Sequence, residues 1–217
     1  MDTVGLEFWL FLGGATVVVL LLAWLLPDTS RKRVEALRAE APKLGMRFFE
    51  HCDDSAFSHT HRFVFVERTR GRWSNVLVAD DGDRTLIGEY RWTYRSGKSH
   101  RVTQQTMALL SGGRFPDFAL EAEDLLHKLG QLVGYQDIDF PDHPAFSKAC
   151  LLRGKDERAV RASFRRELRD WVLDHPDWRV EANSGVLAVW KPAQLTPPAE
   201  LAGLLAEARQ VFEWLQR

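Results

Sequence analysis

Two short stretches concentrate the side chains that do chemistry. "EHCDDSAFSHTH" places Glu50, His51, Cys52, Asp53, Asp54, His59 and His61 in one short segment. His59 and His61, two apart, share a face where the chain is extended, and all these side chains can ligate a metal ion. "QDIDFPDHPAFS" sets Asp137 and Asp139 two apart and adds Asp142 and His143. Paired carboxylates beside an imidazole can hold Mg²⁺ or pass a proton. Asp137, Asp139, His143, His59 and His61 are therefore the candidate metal ligands. Neither stretch has the paired spacing of a closed zinc site. The competing reading of the first is a polar loop leading into a strand. That of the second turns Ile138 and Phe140 inward and the two aspartates outward, with Asp142 capping the next helical turn.

Arg158, Arg161, Arg165 and Arg169 recur at helical spacing, a cationic stripe of the kind that reads anionic lipid. Glu157, Glu167 and Asp170 are interleaved with it, which also describes an ordinary solvated helix face. "RSGKSH" carries the Gly-Lys-Ser that ends a phosphate-binding loop. The full pattern needs glycine at the position of Trp92 and a helix after Ser99, where a strand is expected instead. Ser96-Gly97 is read as a hairpin turn. No complete catalytic motif is present, no cofactor is implied, and a net charge of −1 gives no global field for nucleic acid. Cys52 and Cys150, the two cysteines, form no C-x-x-C pair.

The elements that must position these residues follow from patterning. "GLEFWLFLGGATVVVLLLAWLL", residues 5–26, is uncharged from Phe8 onward and long enough to cross a bilayer, with Trp9 and Trp24 near its ends. Arg31, Lys32 and Arg33 follow it and only acids precede it. The expectation is a single-pass cell-membrane protein, its N-terminus outside and its large domain cytoplasmic, with the lipid bilayer as partner of residues 5–26. Domains are drawn as an anchor over 1–27, a juxtamembrane linker helix over 28–45 and an α+β domain over 46–217. Within the last, "HRFVFVE", "SNVLVAD", "RTLIGEYRWTY" and "HRVTQQTMALL" read as strands. "EAEDLLHKLGQLVG" and "DERAVRASFRRELRDWVLDH" read as helices, and "WRVEAN" with "GVLAVWK" as a hairpin around Asn183-Ser184-Gly185. Thr196 and Pro197 start a last helix striped with Leu201, Leu204, Leu205, Ala208, Val211, Phe212 and Leu215.

The order "NVLVADDGDRTLIGEYRWTYRSGKSHRVTQQT", "PDFALEAED" and "GYQDIDFPDHPAFSKACLLRGKDERAVRASF", closed by a hairpin and a helix, resembles a group of uncharacterised bacterial proteins. These are one-pass inner-membrane proteins with a cytoplasmic domain. The resemblance implies a bacterial inner-membrane setting and transfers no functional residues. The expected fold is α+β: a transmembrane helix, then a mostly antiparallel sheet with flanking helices. The expected role is a protein-interaction or scaffolding domain. The alternatives are a metal-dependent enzyme using the Asp/His cluster and an anionic-lipid surface reader.

Overall fold

The computed structural model describes residues 29–52, 63–80, 84–96, 99–122 and 136–217. The chain divides into two compact units, 1–36 and 37–217. Of the first unit, only the opening turns of helix α1 (Thr29–Glu40) are described. The second holds the last turn of α1 and everything after it.

One expectation is corrected. Among the described residues no helix is long and apolar enough to cross a membrane. The first described helix, α1, is short and carries Arg31, Lys32, Arg33 and Glu35. A helix that crosses the hydrocarbon core needs about 20 mostly apolar residues. The single-pass membrane architecture is accordingly not a feature of the described structure. The expected span itself, residues 5–26, lies outside the described residues.

Among the described residues, the α+β domain is built on a nine-stranded sheet whose adjacent strands all run antiparallel. In chain order the strands are β1 (Met46–Phe49), β2 (Arg72–Ala79), β3 (Thr85–Ser96), β4 (Ser99–Ser111), β5 (Phe118–Ala122), β6 (Gln136–Asp137), β7 (Cys150–Gly154), β8 (Arg179–Asn183) and β9 (Val186–Trp190). In space they lie β1-β2-β3-β4-β9-β8-β5-β7-β6. The β8–β9 turn places Ser184 at φ 52° and Gly185 at φ 77°. Positive φ at both central residues is what a two-residue turn of the right twist requires, and a glycine adopts it freely.

The sheet is buried on both faces, which is why β9 reads as the uninterrupted run "VLAVW" with all five residues buried. Ile87, Leu110, Phe118, Leu152, Val180, Leu187 and Val189 lie in the larger core. Helix α6 (Leu201–Gln216) supplies Leu201, Leu204, Leu205, Ala208, Val211 and Leu215 to the same core, and Phe212 packs at its margin. Helices α3 (Pro144–Ala149), α4 (Glu157–Ser163) and α5 (Arg166–Asp174) add Phe146, Val160 and Leu168. The other face carries Trp73, Val76, Tyr90, Met107, Leu109 and Trp190. It is met by Phe63 and Val66 around helix α2 (Val64–Thr69).

The structure redraws three local expectations. "VFVE", from the expected strand "HRFVFVE", folds within α2 and not as a strand. The helix expected across Asp156–His175 is two helices, separated where Phe164 and Arg165 leave helical geometry. Phe164 turns in against Phe118, ring centroids 4.8 Å apart, and that contact competes with helix continuity. The last helix begins at Leu201, after a 3-10 turn over Pro198–Glu200, later than Pro197 suggests. The helix read over Glu121–Gly134 falls mostly outside the described residues. Its first two residues, Glu121 and Ala122, end β5.

Candidate functional site

Strand β6, helix α3 and helix α5 bring the Asp/His candidates to one flank of the sheet, and there most of their side chains are taken up by neighbouring charged groups. Asp137 stands opposite Arg153 in the β6–β7 register, and Arg153 Nε donates to its Oδ1 at 2.7 Å. Arg153 is nearly buried while Asp137 is exposed. Asp139 is exposed, and its main-chain carbonyl accepts from Arg161. His143 Nε2 meets Asp170 Oδ1 at 2.8 Å. The other nitrogen, Nδ1, accepts from the Phe146 amide at 3.4 Å and caps α3. The capping role expected of Asp142 belongs to His143. Asp142 accepts instead from both terminal nitrogens of Arg169, at 3.0 and 2.9 Å. This fork-to-carboxylate geometry is the strong form of an ion pair.

Phe140 is the apolar floor of this network. The Arg169 guanidinium lies 4.5 Å and that of Arg161 5.1 Å from its ring centroid. Arg169 is itself 7% exposed. The Arg169 hydrogen bond holds Asp142 below the ordinary carboxylate value of 3.8, and the His143 hydrogen bond does the same for Asp170. The expected arginine stripe is thereby dispersed. Arg161 and Arg169 turn onto the Phe140 loop, Arg161 also pairs with Glu157, and Arg165 donates to the Arg217 carbonyl. Arg158 remains exposed.

Among the described residues no group of three or more His, Cys, Asp or Glu is placed to hold a metal ion. Asp137, Asp139 and His143 share a flank, but two of the three are engaged by other side chains. His59 and His61 lie outside the described residues. Cys150 is in no disulfide, and its thiol donates to the Phe146 carbonyl at 3.2 Å. Burial pushes its pKa up to about 12, so it stays protonated and unreactive at neutral pH. The cavity beside it, lined by Leu120, His175, Trp178 and Arg179 among others, has about 20 Å³, room for one water.

A larger feature is an open groove of about 430 Å³ between the end of β9 and the start of α6. Its walls are Trp178, Lys191, Gln194, Thr196, Glu200 and Leu204, with Gly203 facing open space. Lys191 lies 5.0 Å from the Trp178 ring centroid and 3.1 Å from Asp177. The groove offers contact surface, not an enclosed chamber of converging acid and base.

Sequence reasoning passed over the residues that tie the fold together at long range. Glu181, 3% exposed on β8, accepts from the amides of Val64 and Phe65 and so holds the start of α2. Arg153 and Arg169 are likewise nearly buried. The available signal was a charge inside an apolar run: Arg153 in "CLLRG" and Glu181 in "WRVEAN". A charge in such a position requires a partner.

No family model matches the chain, and no curated protein matches it. Among solved structures it is similar to the crystal structure of the mycobacterial trehalose monomycolate transport factor A, TtfA. The TM-score is 0.62 at 12% sequence identity, covering 86% of this chain and 96% of that one. This likeness shows the fold.

Proposed function

We propose that the chain is a non-catalytic accessory factor that works by binding a protein partner. One observation carries the reading. The side chains best suited to acid–base or metal chemistry are used to fasten elements to one another. Asp137 joins β6 to β7, Asp142 joins the loop before α3 to α5, and His143 with Asp170 repeats that link. Carboxylates committed to arginine forks are poor general bases and poor metal ligands. The fold likeness to a protein described as a transport factor supports a role accessory to transport.

Crosslinking of the full chain in its native cells, followed by purification, tests the proposal. The expected result is a reproducible stoichiometric protein partner belonging to a transport system. A solitary chain that binds a metal stoichiometrically and turns over a substrate would overturn it.

A further inference from the structure

The β3–β4 hairpin outruns its neighbours. Strand β2 pairs with β3 only as far as Arg91, and β9 pairs with β4 only from Met107. Beyond those points β3 and β4 pair with each other alone, through Ser96 and Ser99. Gln105 and Thr106 are sealed by the loop after β9, through the Ala193 and Thr196 amides and the Gln194 carbonyl. Among the described residues, the outer edge of β4 from Ser99 to Gln104 therefore has no strand beside it, nor has that of β3 past Arg91. Unpaired edges of this kind are templates for an added strand.

The residues on one face of this arm change character outward from the core. Ile87 and Ala108 are buried. Next comes Glu89, 2% exposed, which accepts from Asn75 and Gln104. Then Arg72 and Arg91 stand directly opposite each other, both exposed and neither in an ion pair among the described residues. The next row pairs Thr93 with Val102, which is 53% exposed, and the last pairs Arg95 with His100. From residue 90 to 116 the sequence has no acid and five cations, in a chain of net charge −1. Like charges opposed across two strands are unfavourable by themselves and become favourable when an anion lies over them.

We infer that this arm is the docking surface for an acidic, extended segment of a protein partner. The segment adds a strand along the Ser99–Gln104 edge, sets carboxylates on the face that carries Arg91, Arg72 and Val102, and flanks Val102. Nucleic acid fits less well, because the aromatics at the arm's root are occupied. Tyr90 and Trp92 pack on Phe65 at 5.8 and 5.0 Å and offer no free stacking platform. A bilayer surface fits less well too, since a single exposed valine gives little to insert.

This inference rests on the partner-binding reading and can fail without it. The test uses the full chain and a synthetic peptide alternating Glu and Val, with phosphatidylglycerol vesicles and polyuridylate as competing probes. The peptide is expected to bind saturably, weaken with added salt, and protect the 99–104 amides from hydrogen exchange. The pair Arg72→Glu and Arg91→Glu should weaken it by about tenfold or more, while Arg72→Lys with Arg91→Lys preserves most of it. Equal loss in the control pair Arg158→Glu and Arg209→Glu overturns the inference, as does arm-dependent binding of vesicles or polyuridylate without binding of the peptide. In native cells, a partner that stays stoichiometric on the Arg72→Glu, Arg91→Glu chain sinks the arm and spares the accessory-factor reading. Absence of any partner on the unmodified chain sinks that reading instead.

Discussion

Arg153, Arg161 and Arg169 lie at one flank of the sheet, Arg72 and Arg91 near the other, and the two groups are used differently. The first three are half-buried or buried, stacked on Phe140 or set between strands, and bonded to Asp137, Asp142 or a main-chain carbonyl. The last two are exposed and make no ion pair among the described residues. A charge taken out of water must be matched inside the molecule, whereas a solvated charge can wait for something outside it. The flank rich in suggestive chemistry is therefore structural. The less conspicuous one keeps its charges in solvent, where the proposed partner would meet them.

This contrast can be broken by substitution. The largest effect is expected at Glu181, the buried carboxylate that anchors α2. Glu181→Ala leaves two amides without their acceptor and should lower stability by about 2–4 kcal/mol in urea unfolding. Arg169→Met keeps the stem and loses the guanidinium over Phe140. A loss of about 1–2 kcal/mol is expected, with the Asp142 contribution screened because that carboxylate is exposed. Asp142→Asn acts on acid sensitivity. The carboxyls of Asp142 and Asp170 sit below the ordinary value, so their stabilisation is full above about pH 3.8 and lost as pH falls through their lowered folded-state values. The substitution should flatten the fall in Tm below about pH 4, with little change in its slope at neutral pH. Arg91→Glu should move stability by less than about 0.5 kcal/mol, since it touches no internal partner. A larger loss there would erase the distinction between the two flanks.

Much of the sheet was legible because its signals are local. "NSG" between two apolar runs specified the β8–β9 hairpin, and the leucine stripe of α6 announced its buried face. The inward turn of Ile138 and Phe140 also followed from alternation, both being 3% exposed. What was misread depends on contacts between distant parts of the chain. The alternation in "FVFVE" suits a strand, yet the acceptor that favours a helix start there is Glu181, 117 residues away. The break at Phe164 answers to Phe118, and the cap at His143 to Asp142 having been drawn off by Arg169. For the candidate site, spacing could show that Asp137, Asp139 and His143 come near one another. Only the fold shows that Arg153 takes up Asp137 and Asp170 takes up His143, while Arg161 holds the main chain at Asp139.

The strand order has a consequence for the newborn chain. Strands β4 and β5 are near neighbours in sequence, yet in the sheet the β8–β9 hairpin lies between them. Until residues 179–190 leave the ribosome, the β1–β4 meander and the β5–β7 pair have no shared edge and cannot join. Two apolar strand borders, at Met107–Leu110 and Phe118–Leu120, must stay open through much of synthesis, the condition in which chains cling to each other or to chaperones. Completion of the sheet is thus a late and long-range step, and a chain stalled before Arg179 displays both borders at once.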